Sequence, residues 1–132
     1  MGTAMKNLLL DTCALLWLAS ADAALSQRAR SRIEDAELVY VSAISAWEVA
    51  LKAKKGELVL PISADEWFRR AVEQHGLVVL PLVPDDLLAS VALPDHHRDP
   101  ADRFILAQAL AHDLCLVTSD AMFAKYGVET VV

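Results

Sequence analysis

The sequence predicts an α/β fold, a three-layer α/β/α sandwich with a mostly parallel central sheet. Strand-like and helix-like segments alternate in the order β-α-α-β-α-α-β-α-α-β-α-β, which is typical of a parallel sheet covered by helices on both faces. The first strand segment is apolar throughout, as in strands buried on both faces. The chain has 132 residues, 55% of them hydrophobic, which predicts one core and a single domain over residues 1–132.

The first predicted strand is the apolar segment Asn7–Leu10, which ends at Asp11. Leucines at helical spacing follow it, and a second helix is predicted from about Ser26 to Ala36. The next segment, Leu38–Val41, is rich in β-branched and aromatic residues and is therefore the second predicted strand.

The middle of the chain carries two helix starts. Ser42 is the predicted N-cap of a helix that runs from Ala43 to about Lys55 and is closed by Gly56. The segment Ser63–Glu66 has a capping-box pattern, which opens a helix that Gly76 ends. A third strand is predicted over Leu77–Leu82, interrupted by a proline.

The last part of the chain begins with a short helix from Pro84 to about Leu93, followed by a polar loop. Asp99 and Pro100 are a predicted N-cap and first helical residue, and their helix runs to about His112. The remaining predicted elements are the strand Leu114–Thr118, a short helix to Lys125, a turn at Gly127 and the strand Val128–Val132.

Composition excludes several classes of protein. Cys13 and Cys115 are too few for a disulfide scaffold; both lie in apolar segments, so we expect core thiols and a reducing, cytoplasmic location. No apolar run approaches the roughly 20 residues that span a bilayer, and no signal peptide is expected. The formal net charge of −6 argues, on bulk charge alone, against nucleic-acid binding.

Acidic residues cluster near the ends of the predicted strands. Asp11 and Asp120 follow the first and fourth strands, and Glu48 lies about two turns into the helix after the second. Asp99 and Asp102 begin the helix that precedes the fourth strand. Ligands of open α/β sheets bind beyond the carboxyl ends of the strands, so we expect these acids to converge, provided that the helix of Asp99 and Asp102 points its N-terminus at the same edge. Crowded carboxylates stay ionised only beside a cation, and hard oxygen ligands predict Mg²⁺ or Mn²⁺.

Each acid also has an ordinary structural role open to it. Asp11, Asp99 and Asp120 can each be the N-cap of a helix. Asp102 lies in the first turn of a helix, where the helix dipole favours a negative charge. For Asp99 the N-cap is the main expected role. Glu48 completes a second capping-box pattern with Ser45, but Ser42 gives the better helix start. That start leaves Glu48 in mid-helix between apolar neighbours, where a carboxylate needs a partner.

Basic and aromatic residues carry weaker predictions. The densest basic cluster ends a predicted helix, where it complements the dipole or binds phosphates: Lys52, Lys54 and Lys55. Arg103 is expected to pair with a carboxylate or to face a substrate. His96 and His97 are expected in a solvated loop, with contact to a substrate as the alternative, and the tryptophans in a core or an interface.

Four segments, taken in order, resemble the motifs of PIN-domain ribonucleases, most closely the VapC-type toxins of bacterial toxin–antitoxin pairs. They are Leu8–Trp17, Val41–Lys52, His97–Arg103 and Leu116–Asp120. The resemblance covers nearly the whole chain and implies a PIN-like fold. It carries over four catalytic and metal-binding acids, namely Asp11, Glu48, Asp102 and Asp120. Asp99, Thr12 and Ser119 are then supporting residues.

The resemblance also implies an activity and partners. A Mg²⁺- or Mn²⁺-dependent endoribonuclease would cleave RNA by attack of a metal-activated water, and a cognate antitoxin would neutralise it. A homodimer is expected, and bound cations would offset the acidic charge of the site. Residues 1–4 precede the expected start and are interpreted as a cloning remnant or an upstream initiation. Two alternatives stay open: a catalytically silent binding scaffold, and an Asp-dependent phosphatase, which usually has a second acid where this chain has Cys13.

Overall fold

Five parallel strands form the central sheet of the computed structural model, which describes residues 6–132. The strands are β1 (Leu8–Leu10), β2 (Val39–Ser42), β3 (Val78–Leu80), β4 (Cys115–Val117) and β5 (Thr130–Val131). Their order is β3-β2-β1-β4-β5, and each neighbouring pair is parallel. The predicted α/β class is confirmed, while the interpretation of residues 1–4 lies outside the described residues.

Within residues 6–132, six α-helices and one 3₁₀ helix join the strands. They are α1 (Thr12–Ser20), α2 (Gln27–Asp35), α3 (Ala43–Lys54), α4 (Ala64–Gln74), α5 (Pro84–Ala92), α6 (Pro100–Ala111) and the 3₁₀ helix Ala121–Tyr126. The predicted order of elements is confirmed. The third strand is shorter than predicted, because Pro81 has no N–H to continue the ladder. None of these helices has the length and hydrophobicity to cross a bilayer.

The helix starts follow the predicted capping chemistry. The hydroxyl of Ser42 accepts a hydrogen bond from the backbone N–H of Ile44, and that of Ser63 accepts one from Glu66. Each bond satisfies an N–H that has no partner within its helix. These caps fix where α3 and α4 begin, and therefore place Glu48 in the second turn of α3.

The hydrophobic core is split by the sheet into two clusters. Leu8 and Leu10 of β1 pack on one face with Leu15 of α1, whereas Leu9 packs on the other with Ile105 of α6. Successive strand residues point to opposite faces, so β1 is fully buried between helices on both sides. The three predicted layers follow from this arrangement.

The two cysteines differ in their surroundings. Cys115 is buried in β4, as predicted, but Cys13 is exposed, so the prediction of a core thiol is wrong there. Cys13 lies in the first turn of α1, whose buried side is made by Thr12, Ala14 and Leu15. It therefore faces the carboxyl edge of the sheet rather than the core.

Candidate functional site

The acids meet in a cleft at the carboxyl edge of the sheet. Leu10 of β1 and Val117 of β4 are paired in register, so the residues after them emerge side by side. The cleft has a volume of about 120 Å³. Its lining is Asp11, Thr12, Cys13, Glu48, Lys52, Asp99, Asp102, Ser119, Asp120 and Phe123. The structure thus brings together all the predicted acids and both predicted hydroxyl residues, Thr12 and Ser119.

Asp11 is both an N-cap and a member of the cluster. Its Oδ1 accepts a hydrogen bond of 2.7 Å from the backbone N–H of Ala14, which begins α1. Burial raises the pKa of Asp11, and the nearby charges of Glu48 and Asp120 raise it further. Hydrogen bonds from Thr118 and Ala14 only partly oppose this rise. The capping role and the site role therefore coexist in one side chain.

Glu48 has the partner that its buried mid-helix position requires. The hydroxyl of Thr12 donates a 2.5 Å hydrogen bond to Glu48 Oε1. Because that bond uses the single hydroxyl proton of Thr12, the 2.8 Å contact between Thr12 and Ser45 must be donated by Ser45. Ser45 was not predicted as a site residue. Its position three residues before Glu48, on the same face of α3, is the signal that could have identified it.

Asp102 carries the most perturbed carboxyl of the cluster. Its position in the first turn of α6 is fixed by the predicted N-cap Asp99, whose Oδ1 accepts from the N–H groups of Ala101 and Asp102 at 2.9 and 3.3 Å. Burial raises the pKa of Asp102 to about 7, and the charges of Asp99 and Glu48 contribute. The shift reflects first the burial of this carboxyl and then the negative charges around it, which His97 offsets only in part.

Asp120 is held on both of its carboxylate oxygens. Oδ1 accepts a 2.9 Å hydrogen bond from the backbone N–H of Met122, and Oδ2 lies 2.8 Å from His97 Nε2. Burial opposes ionisation of Asp120, but these two hydrogen bonds outweigh it and lower the pKa. Just below pH 7, Asp120 is therefore ionised, whereas Asp102 keeps its proton.

His97 lies inside the site, so the prediction of a solvated position is wrong for it. Its side chain is only 13% exposed, and Nε2 lies 3.2 Å from Asp102 Oδ2 as well as 2.8 Å from Asp120 Oδ2. The neighbouring His96 is exposed, as predicted. A histidine in a polar loop gives no local signal of burial; here the contact comes from residues 5 and 23 positions further along the chain.

Arg103 is engaged mainly with backbone carbonyls; it also forms the predicted kind of pair with a carboxylate, Asp95, while its contact with a substrate stays a prediction. Its guanidinium donates to the backbone carbonyls of Ser90, Leu93, Pro94 and His97, at 2.8 to 3.0 Å. The side chain is 12% exposed, and its nearest carboxylate, Asp95, is 3.8 Å away. Four of its five N–H groups are thus engaged with the loop that carries His97.

Two lysines of the predicted basic cluster, Lys52 and Lys55, line a groove, whereas the third, Lys54, does not. A groove of about 220 Å³ continues from the acidic cleft, and it shares Glu48, Lys52 and Asp99 with that cleft. The groove is lined by Trp47, Glu48, Leu51, Lys52, Lys55, Glu57, Asp99, Pro100 and Ala101. Lys54 is exposed and lines neither cavity. Trp47, expected in a core or an interface, is 56% exposed at this groove.

The donor set fits a hard divalent cation. Among residues 6–132, His97, Asp102 and Asp120 each place one potential ligand atom within 4.8 Å of the others, beside Asp11 and Glu48 in the same cleft. Carboxylate oxygens are the ligands that Mg²⁺ and Mn²⁺ prefer. Burial and the neighbouring carboxylates raise the pKa of Asp102, so a divalent cation bound beside it would favour its ionised form.

Fold and site together define a three-layer α/β/α domain with an acidic centre at the carboxyl edge of its parallel sheet. The chain matches the family model of the PIN domain over residues 8–129, and it therefore belongs to the PIN domain family, as its four motifs predicted. It is 35% identical over 117 residues to Ribonuclease VapC22 of Mycobacterium tuberculosis, which covers 88% of each chain.

Solved structures share the same architecture. A toxin–antitoxin complex from Klebsiella pneumoniae is 27% identical with a TM-score of 0.65, over 94% of this chain and 95% of the matched one. VapBC2 from Rickettsia felis, bound to a DNA fragment from its promoter, has a TM-score of 0.70 at 12% identity, over 95% and 97% of the two chains. The fold is thus shared even where the sequences have diverged widely.

Proposed function

We propose that this chain is a Mg²⁺- or Mn²⁺-dependent endoribonuclease toxin that acts on RNA in the cytoplasm and is neutralised by a cognate antitoxin. The convergence of Asp11, Glu48, Asp102 and Asp120 in one cleft carries the proposal. The ribonuclease name of its relative and the toxin–antitoxin assemblies among its structural neighbours support the substrate class and the partner.

The side chains of the cleft have distinct parts in this mechanism. A divalent ion bound there would lower the pKa of a water molecule and offset the charge that develops on the phosphoryl oxygens. Asp11, Asp102 and Asp120 would hold the ion. We assign orientation of the attacking water to Glu48, because Thr12 fixes one of its oxygens, whereas hydrogen bonds engage both oxygens of Asp120. The 3′-oxygen is the leaving group.

The activity is tested with purified protein and a pool of structured and single-stranded RNAs. We expect cleavage with Mg²⁺ or Mn²⁺ that leaves 5′-phosphate ends, is abolished by EDTA and returns when the metal is added in excess. Hydrolysis of small phosphomonoesters without RNA cleavage would instead indicate a phosphatase. Absence of both activities with either metal would leave the chain as a binding scaffold and contradict the proposal.

The groove beside the cleft is the proposed path of the RNA backbone. Lys52 and Lys55 line it and can neutralise phosphates, while Trp47 offers an exposed aromatic surface at its edge. Local positive charge of this kind lets an acidic protein bind RNA, because phosphate contacts act over short distances at physiological salt. An antitoxin segment laid in the same groove would block the substrate.

Lys55→Ala is expected to weaken RNA binding more than Lys54→Ala does. Loss of one phosphate contact is expected to raise KM about three- to tenfold with little change in kcat, and to lower the salt dependence of binding by about one ion. Lys54 is a matched control, since it is the adjacent residue on the same turn but lines neither cavity. Equal KM values for the two variants would contradict the assigned path.

A homodimer is also proposed. Helix α5 presents exposed apolar side chains, among them Leu88 and Val91, on a surface that a second copy can cover. Sedimentation of the purified chain measures the oligomeric state. A monomer at micromolar concentration would contradict this part of the proposal.

A further inference from the structure

Contacts on several sides hold His97 in place at the acidic cleft. Its backbone N–H donates a 2.7 Å hydrogen bond to the hydroxyl of Tyr126, which in turn donates to the carbonyl of Pro94. Its ring stacks on Phe123, with centroids 5.3 Å apart and planes inclined by 30°. These contacts hold the imidazole with one edge toward Asp120 and the other toward the start of α6.

Arg103 holds the same loop from the opposite side. Its guanidinium donates to the carbonyl of His97 at 2.9 Å and to three carbonyls before it. The side chain of Arg103 therefore fixes the backbone that carries His97. Arg103 also follows Asp102 directly in the sequence. The loop, the first turn of α6 and the acidic cluster are tied into one unit.

The contacts of the ring decide which nitrogen carries the proton. The backbone N–H of Asp99 donates to His97 Nδ1 at 3.2 Å, so Nδ1 is an acceptor and the proton lies on Nε2. Nε2–H then donates to Asp120 Oδ2 at 2.8 Å. To bind a cation through Nε2, the ring would need its proton on Nδ1, where it would face the N–H of Asp99, donor against donor.

We propose that His97 is a positioning residue and not a metal ligand: its Nε2–H, together with the N–H of Met122, holds the Asp120 carboxylate in a fixed orientation for the cation. The inference rests on the proposed metal-dependent function of this cleft. Groups that orient a metal-binding carboxylate act through that carboxylate, and their loss typically costs 10–100-fold in metal affinity. Arg103 serves the same end by holding the loop.

The first test measures the tautomer directly in the metal-free protein. Long-range ¹H–¹⁵N correlation spectra at neutral pH distinguish an Nε2–H imidazole from an Nδ1–H imidazole and from the doubly protonated ring. We expect the Nε2–H pattern for His97. Either of the other two patterns would overturn the proposal, and this measurement needs neither metal nor RNA.

The second test compares Mn²⁺ binding by the wild type and three variants, with circular dichroism to confirm folding. His97→Leu removes the donor and is expected to weaken Mn²⁺ binding about 10–100-fold. His97→Gln keeps an N–H donor at similar reach and is expected to recover most of that loss. His112→Leu, the same change at an exposed histidine that follows the far end of α6, is the matched control and is expected to leave the affinity unchanged.

Pulsed electron paramagnetic resonance of the Mn²⁺-loaded protein distinguishes a positioning role of His97 from that of a metal ligand. We expect no signal from a directly bound imidazole nitrogen. Such a signal in the wild type that disappears in His97→Leu would overturn the proposal, as would equal Mn²⁺ affinity in His97→Leu and the wild type. Mn²⁺ binding with the expected variant pattern but without RNA cleavage would contradict the proposed function and leave this inference standing.

Discussion

Replacing Asp102 by Asn is expected to abolish RNA cleavage and, at the same time, to stabilise the metal-free fold. Loss of the charged metal ligand that we propose Asp102 to be would remove several kcal/mol of transition-state stabilisation, so we expect kcat to fall by about 10³-fold or more. The shape of the side chain is kept, and Asp99 still caps α6 through its own carboxylate. The variant should therefore be folded and inactive.

The stabilisation follows from the direction of the pKa shift. The folded protein holds the Asp102 proton up to about pH 7, whereas an unfolded chain releases it near pH 4, so the ionised group opposes folding above pH 4. At pH 8 the amide removes this opposition. We expect a gain of about 1–3 kcal/mol in the free energy of unfolding, and a rise of several degrees in Tm. Thermal unfolding in EDTA, beside a cleavage assay in Mn²⁺, measures both effects.

Asp85→Asn is the matched control for this experiment. Asp85 is also an acid in the first turn of a helix, α5, but it is exposed and outside the acidic cleft. Its replacement loses the same favourable interaction with a helix dipole and should neither abolish cleavage nor raise Tm. Asp11→Asn is expected to behave as Asp102→Asn does in the cleavage assay. Full activity of either cleft variant would contradict the assigned site.

The fold could be predicted because its local signals agree with one another. An apolar β1 ending at Asp11, serine caps before α3 and α4, and the Asp99-Pro100 start of α6 each specify one boundary. Parallel strands then bring the residues after β1 and β4 to one edge. The proximity of Asp11 and Asp120 follows from that topology, whereas that of Asp99 and Asp102 also required the N-terminus of α6 to lie at the same edge.

The residues that escaped prediction are those whose roles depend on contacts distant in the sequence. His97 and Arg103 lie in a polar loop and an exposed-looking helix start, where solvent contact is the usual outcome. Their partners are Tyr126, Phe123 and the carbonyls of the preceding loop, which no periodicity reveals. Cys13 shows the converse: an apolar segment suggested burial, but the helix turns that one position toward the cleft.

Burial and crowding of acids cost stability in this fold, and we expect a bound cation to relieve that cost. The pKa of Asp11 and that of Asp102 are both raised, first by burial and then by neighbouring carboxylates. Two nearby side chains that could offset the charge are engaged elsewhere: Arg103 holds a loop, and His97 donates to Asp120. Lys52 also lines the cleft, yet the pKa values of Asp11 and Asp102 are raised beside it. A divalent cation bound among these carboxylates would supply positive charge, so we expect metal binding, pH and stability to be coupled.

Mn²⁺ binding is accordingly expected to weaken as the pH falls below 7. At pH 6 the Asp102 carboxyl is mostly protonated and must release its proton before it can bind a cation, so the affinity should fall by up to about tenfold per pH unit. Above pH 8 this dependence should level off. Calorimetric titrations in two buffers of different ionisation enthalpy count the protons released, and we expect close to one from this group at pH 6 and almost none at pH 8.

The stability of the fold should depend on pH through Asp102 without metal and lose that dependence when metal is bound. Without metal, the stability contribution of the protonated Asp102 is present at pH 4–5 and is lost as the pH rises through about 7, so Tm in EDTA should fall over that interval. With saturating Mn²⁺ the fall should be absent, because binding to the folded state gains strength as the proton leaves. The variant Asp102→Asn removes this titrating group and keeps those of His97 and Asp11. It should therefore abolish the proton release on Mn²⁺ binding and most of the fall in Tm. If the wild type binds Mn²⁺ equally at pH 6 and pH 8, or if the variant releases as many protons as the wild type, Asp102 is not the group that exchanges a proton for the metal.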